Sequence, residues 1–228
     1  MKKILKYLFL VVLVLGVFGC GKKNEATESA LAFKKEYESL NGKTNASGKE
    51  HRTINISEDN PYIKIKPTEL IEKINNKETF YVYFGDPLCP WCRSVLEKSI
   101  EVAKNKKINK IYYIKIWDDE GTEIFRSRYK LNDKDKPELV TPGTDDYYTI
   151  TRAFSNVLKD YTLTTSKGKE INIGEKRIYA PNYIYVKNGE ATSLVSGISD
   201  LQKGSRDELT KDILSDEEKI FNDFFDNN

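Results

Sequence analysis

Residues 79–95 read T-F-Y-V-Y-F-G-D-P-L-C-P-W-C-R-S-V. The aromatic and β-branched run Phe80, Tyr81, Val82, Tyr83, Phe84 predicts a buried strand. Gly85-Asp86-Pro87 predicts a turn. Beyond Cys89-Pro90-Trp91-Cys92, the spacing of Val95, Leu96, Ile100 and Val102 predicts a helix with one apolar side. Both cysteines therefore fall where a strand hands over to the first turn of a helix. Free N–H groups at a helix N-terminus stabilise an anion, so a thiol there loses its proton more readily. A thiolate with a second thiol one turn away is the minimum machinery for disulfide exchange.

Outward from this stretch, residues 62–65 predict a strand. Pro67 opens a helix carrying Leu70, Ile71 and Ile74, the proline suiting a first turn. Residues 111–117, dense in Ile and Tyr, predict another buried strand. The strand–helix–strand–helix–strand order implies parallel pairing with right-handed crossovers. Toward the C-terminus, residues 182–187 and 192–196 predict strands joined at Asn188-Gly189, a strong hairpin signal. A polar helix over about 206–224, with Leu209, Ile213, Ile220 and Phe221 facing inward, closes the chain. Residues 118–170 read as a mainly helical insertion. Helical spacing is seen at 122–129 and at 145–158, where Tyr148, Thr151, Phe154, Val157 and Leu158 make a face. Residues 133–144 read as loop, and 161–173 as a hairpin around Lys167-Gly168.

The front end has a different character. Lys2, Lys3 and Lys6 precede an apolar run from Tyr7 to Phe18 that is short for a membrane span and right for a signal segment. Val17-Phe18-Gly19-Cys20 resembles the end of a bacterial lipoprotein signal, which implies cleavage after residue 19 and lipid on Cys20. An ordinary signal peptide or an uncleaved anchor is the alternative. Residues 20–51 read as a polar tether, with room for one short helix over 30–40 on Leu31, Tyr37 and Leu40. The folded domain is expected over 52–228, with 52–56 as a possible edge strand. Loss of the three lysines takes 37 basic residues to 34 against 35 acidic ones, a net charge of about −1. That near-neutral balance gives no bulk argument for nucleic acid. Of three cysteines, Cys20 set aside leaves Cys89 and Cys92 with no third thiol to pair with.

F-Y-V-Y-F-G-D-P-L-C-P-W-C, followed far downstream by Y-A-P-N-Y-I-Y-V-K-N-G-E, resembles the thioredoxin superfamily over roughly residue 62 to the C-terminus, apart from the insertion. The wider arrangement is similar to bacteriocin transport accessory proteins, a loosely defined group of thioredoxin-like lipoproteins. The resemblance implies a three-layer α/β/α fold, a central mixed sheet with helices on both faces. It implies Cys89 as the exposed nucleophile, Cys92 as the buried resolving thiol, and Pro90 as part of the motif. It makes Pro181 the cis-proline and gives Ala180 backbone groups that meet an extended substrate. Trp91, an aromatic between the two thiols, either offers a flat apolar face as a second substrate contact or fills the first helical turn. It implies no cofactor beyond the cysteine pair. The partners it implies are protein or peptide thiols and disulfides, with a membrane electron-transfer or transport partner, on the outer face of a bacterial cytoplasmic membrane. Two departures stand out. The strand position where many thioredoxins carry a buried acid is Tyr83, with Asp86 nearby in the turn. The dipeptide between the cysteines is Pro-Trp rather than Gly-Pro.

Rival readings of the pair are half a zinc site, which His51 as the only histidine disfavours, and inert core thiols. At the level of the whole chain, the rival to an oxidoreductase is a non-catalytic module that binds an exported peptide or transporter. Pro90 withholds an N–H but suits the first helical turn, and no acid at position 83 raises the thiols. The pair is therefore expected near −150 to −230 mV, more oxidising than thioredoxin at about −270 mV.

Overall fold

A computed structural model describes residues 27–118 and 120–228; Cys20 and the signal segment lie outside the described residues. The chain runs α1 (Glu28–Glu38), β1 (Tyr62–Lys64), α2 (Pro67–Asn75), β2 (Phe80–Gly85), α3 (Pro90–Asn105) and β3 (Ile111–Lys115). It continues through β4 (Arg128–Leu131), β5 (Pro137–Thr141), α4 (Asp145–Ala153), β6 (Lys159–Thr164), β7 (Glu170–Arg177), β8 (Asn182–Lys187), β9 (Glu190–Val195) and α5 (Lys211–Asp226). Five strands form the central sheet in the order β1-β3-β2-β8-β9. β3 pairs parallel with β1 and β2, whereas β8 pairs antiparallel with β2 and β9. This is the mixed sheet of a three-layer α/β/α fold, compatible with the thioredoxin-like arrangement.

Side-chain alternation assigns the two faces. Tyr62, Tyr83, Ile111, Tyr113 and Tyr183 join α1, α3 and α5 in one core. Phe80, Val82, Phe84, Ile114, Ile184 and Val186 join α2 and α4 in the other. On the α3 side, Tyr113, Tyr83 and Tyr183 lie in register on three neighbouring strands. Tyr83 stacks on both, with ring centroids 5.6 Å from Tyr113 and 4.6 Å from Tyr183. Such cross-strand aromatic pairs stabilise a sheet beyond their buried area. Two of the phenol oxygens find a partner under α3: those of Tyr62 and Tyr183 approach Ser99 Oγ at 2.8 and 3.0 Å. At the β8–β9 turn, Asn188 and Gly189 both take positive φ, 52° and 81°, which is what a two-residue hairpin loop requires.

Three regions differ from the sequence reading. The expected tether contains α1, which docks in the core: Ala30, Phe33 and Tyr37 are buried, and Phe33 stacks on Tyr62 at 4.3 Å. The buried face is thus Ala30-Phe33-Tyr37, not Leu31-Tyr37-Leu40, and Leu31 is 41% exposed. Residues 52–56 pair with no strand among the described residues, although Ile54 and Ile56 are buried. The insertion is not mainly helical. Residues 122–129 are irregular and run into β4, and 137–141 pair with β4 as an exposed hairpin, whereas the hairpin expected around Lys167-Gly168 is present as β6–β7. Its single helix is α4, capped by the Thr144 side chain, which accepts the Tyr147 N–H at 3.1 Å. A Glu123–Arg126 pair, 2.7 Å apart and nearly buried, holds the turn where a helix was expected.

α5 carries an unusual group. Glu217 is fully buried, and neither carboxylate oxygen has a hydrogen-bond partner among the described residues. Burial pushes its carboxyl from an ordinary 4.5 up to about 7, against the pull of Arg52 and Lys98, with Asp216 adding to the rise. A folded-state pKa above the unfolded one means that ionisation costs stability, from about pH 4.5 upward and in full above about pH 7. Glu217→Gln should therefore raise the denaturant midpoint at pH 8 and lose that advantage at pH 4. A difference that does not change with pH contradicts the assignment.

Candidate functional site

The cysteine motif is held by what precedes it. β2 ends at Gly85, and the Asp86 carbonyl accepts the Cys89 N–H at 3.1 Å, closing the turn. The Asp86 carboxyl accepts from Leu88 N at 2.9 Å and from Trp117 N at 3.1 Å, tying the turn to the end of β3. Asp86 is fully buried. Burial pushes its carboxyl up to about 7, although those two N–H groups and Lys115 pull it down.

Cys89 is the N-cap residue of α3, Pro90 the first helical residue and Cys92 one turn in. Cys89 Sγ accepts the Cys92 N–H at 3.2 Å. Burial pushes the Cys89 thiol up, but the neighbouring Cys92 thiol and the Cys92 and Trp91 N–H groups outweigh it, and the net direction is down. Pro90, without an N–H, leaves the next two amides as the donors. Cys92 is pushed well above the ordinary range, first by burial and then by its neighbour Cys89. Of the two, Cys89 is the thiol that ionises first.

The second motif arrives from far along the chain. The Ala180–Pro181 peptide bond is cis. The Ala180 carbonyl lies 3.6 Å from Cys89 Sγ, as the thiol's acceptor. The loop before β8 therefore lies on the cysteine. Pro181 is buried, Ala180 half-buried, and Trp91 half-buried against the α3 core. The structure thus brings Cys89, Pro90, Trp91, Cys92, Ala180 and Pro181 together.

One expectation is corrected: Cys89 is not exposed. Only 3% of its surface is accessible, against 0% for Cys92. The reason is the same loop, whose carbonyl covers the sulfur. Both thiols are free. Among the described residues, no group of three or more His, Cys, Asp or Glu side chains stands where it could hold a metal ion.

Two contributors escaped the sequence reading. Arg93, 1% exposed, donates to the carbonyls of Arg52 at 2.8 Å, Tyr37 at 2.8 Å and Pro87 at 3.3 Å, and to Asn41 Oδ1 at 2.8 Å. It fastens α1 and the segment after it to the turn before Cys89. The Tyr83 hydroxyl lies 3.0 Å from that of Tyr37 of α1, in the core that also holds Cys92. Arg93 carries a local signal, a charged residue on the buried side of a helix. Tyr37 carries none, because its contact spans 46 residues of sequence. No family model matches the chain, and no curated protein matches it.

Proposed function

We propose that the protein is a membrane-anchored, extracytoplasmic thiol–disulfide oxidoreductase that works through Cys89-Pro90-Trp91-Cys92. The observation that carries this reading is the placement of Cys89 Sγ. It sits at a helix N-terminus on the Cys92 N–H, with the carbonyl before a cis-proline beside it. A thiol favoured as thiolate next to a protonated, buried second thiol suits sequential exchange. In the reducing direction, Cys89 thiolate attacks a substrate disulfide, forming a mixed disulfide and releasing one substrate thiolate. Cys92 then attacks Cys89 Sγ, closing the Cys89–Cys92 disulfide and releasing the second thiolate, so two electrons pass to the substrate. The oxidising direction is the reverse. The pair's potential against its partner's decides which runs.

The substrates are protein or peptide thiols and disulfides, with Trp91 and the Ala180 backbone as contacts. A membrane electron-transfer or transport partner resets the pair, and no further cofactor enters the cycle. Anchoring through lipid on Cys20 belongs to the same proposal and rests on the signal-like sequence before it.

Equilibration against a glutathione redox buffer tests the function. The expected result is a two-electron equilibrium with a potential of roughly −150 to −230 mV. The buried Asp86 pushes the Cys89 thiol up, but the Cys92 thiol and the α3 amides outweigh burial and Asp86 together, so the Cys89 thiolate and with it the reduced form are favoured. A value at or below about −270 mV removes the claim of an oxidising pair. Failure of the pair to form a disulfide at all removes the function.

The 3% exposure of Cys89 favours a second reading, a non-catalytic accessory module that binds an exported peptide. Insulin reduction separates the two, because a binding module gives no cysteine-dependent turnover.

A further inference from the structure

The segment 50–53, the loop at 205–206 and Pro90 enclose a cavity of about 260 Å³. Pro90 sets this cavity against the residue that follows Cys89. Sites for whole small molecules run to about 300–1,000 Å³, so this one suits a single side chain. Arg93 holds the segment in place, since its Nε donates to the Arg52 carbonyl at 2.8 Å.

The walls carry polar groups that the fold leaves unused. Arg206 donates to the Glu50 carbonyl and Arg52 to the Asp207 carbonyl, and these bonds tie the two walls together. Each takes a single donor of a guanidinium that has five. Among the described residues neither arginine pairs with a carboxylate. Arg52 Nε is buried without a partner, and so is Nδ1 of His51, a residue only 3% exposed. Such buried unpaired groups call for an account. Burial, Arg93 and Arg206 hold the imidazole below its ordinary 6.5, so it is neutral at pH 7. Among the described residues Glu50 is the one acid in the lining, and it is exposed. Asp207, Glu97 and Glu217 stand near Arg52 but outside the lining, and Glu97 already accepts the Asn55 N–H at 2.7 Å.

We propose that this cavity is a substrate subsite for a carboxylate: an acidic side chain of the exchanging protein or peptide seats between Arg52 and Arg206, with His51 as a further donor, while a nearby cysteine of the same chain meets Cys89. The inference rests on the thiol–disulfide reading above and adds selectivity to it. A guanidinium fork matches the two oxygens of a carboxylate, and charge-assisted bonds of this kind are about twice as strong as neutral ones. The near-neutral chain, at +2 over its full length, exerts no bulk pull on acids, so the preference comes from this local site. His51, Arg52 and Arg206 thereby set which cysteines exchange fastest, without touching the reacting sulfurs.

The test uses the full-length reduced protein and short peptides whose cysteine is joined by a disulfide to an aromatic thiol. Cys89 thiolate attacks the peptide sulfur, the Cys89–peptide disulfide forms and the coloured aromatic thiolate leaves. Glu, Gln or Lys is placed in turn at the positions flanking the peptide cysteine. At one position or more, Glu should react about three- to tenfold faster than Gln, and Lys slower than Gln. Arg206→Gln should bring the Glu-to-Gln ratio to about one, and Arg52→Gln should lower it. Lys167→Gln, on the β6–β7 turn and outside the lining, should keep the ratio. A second arm uses the Glu peptides with Ser in place of Cys, which bind without exchange. His51 is the only histidine in the chain, so its ring signals report the cavity directly by NMR. A seated carboxylate favours the imidazolium and should raise the His51 titration midpoint, with Arg52, Arg93, Arg206 and Glu50 all still in place; the Gln peptides should not. A Glu-to-Gln ratio near one at every position overturns the proposal, and so does a ratio that survives Arg206→Gln or falls equally in Lys167→Gln. If Arg206→Gln does not fold, the second arm decides, and an unmoved His51 midpoint overturns the proposal. If no peptide exchanges at all, the oxidoreductase reading fails instead, and the His51 midpoint still decides whether the cavity takes a carboxylate.

Discussion

Cys89→Ser reduces thiol–disulfide exchange to the uncatalysed background, whereas Cys92→Ser keeps the first attack and accumulates a mixed disulfide through Cys89. A serine hydroxyl cannot form the sulfur–sulfur bond that carries the electrons, so losing the nucleophile removes turnover altogether. The asymmetry follows from the site. Cys89 takes the Cys92 N–H at the head of α3, while Cys92 is buried and pushed well above the ordinary thiol range. Alkylation at mildly acidic pH, followed by peptide mass measurement, should label Cys89 before Cys92. Labelling of Cys92 first, or a mixed disulfide trapped in Cys89→Ser, reverses the order. The 3% accessibility of Cys89 further implies that labelling in folded protein is slower than the thiol's acidity alone dictates.

Arg93→Met should cost about 3–5 kcal/mol of folding stability. The guanidinium serves four acceptors in a place that water does not reach, three of them backbone carbonyls from separate segments. A methionine fills much of the volume but leaves those oxygens without a donor. That loss is a large part of a typical domain's total stability. The denaturant midpoint should fall with little change in the slope, since the surface exposed on unfolding stays nearly the same. A loss below about 1 kcal/mol means that water replaces the guanidinium and that the four bonds contribute little. Because the same side chain holds Tyr37 and the turn before Cys89, a milder variant such as Arg93→Lys should separate the two effects.

What could be read in advance follows the range over which the chain speaks. The aromatic and β-branched run Phe80–Phe84 is a signal within six residues, and it marked the strand, while its two faces emerge only in the packed sheet. Asn188-Gly189 gave the hairpin, since few other pairs accept positive φ twice in succession. The placement of Cys89 and Cys92 at a helix start and the cis Ala180–Pro181 bond were legible because each belongs to a short motif. The insertion was legible only in part: the helix at 145 and the hairpin around Lys167-Gly168 were, the segment 122–129 and the β4–β5 hairpin were not. Residues 122–129 read with helical spacing, yet contacts of Glu123 and Arg126 fix a turn there. Pro137 marked a loop but stands at the first residue of β5, where a two-stranded hairpin leaves its missing N–H without cost. α1 was weakly visible. Its polar composition suited a tether, and the stripe that matters, Ala30-Phe33-Tyr37, includes a small residue that composition underweights. The Tyr37–Tyr83 contact depends on where that helix docks, which no local pattern encodes.

On the proposal that Cys20 carries lipid, the docking of α1 would also set a leash. Only six residues separate Cys20 from Thr27, where the described fold begins. Even fully drawn out, that stretch spans at most about 25 Å. With lipid on Cys20, the folded body cannot roam far above the bilayer and is confined to a shell no deeper than its own width plus this leash. Such confinement raises the effective concentration of membrane-held partners, including chains still emerging through the membrane, and excludes proteins already diffusing away. The helix that completes the tyrosine cluster would thus also decide which disulfides come within reach.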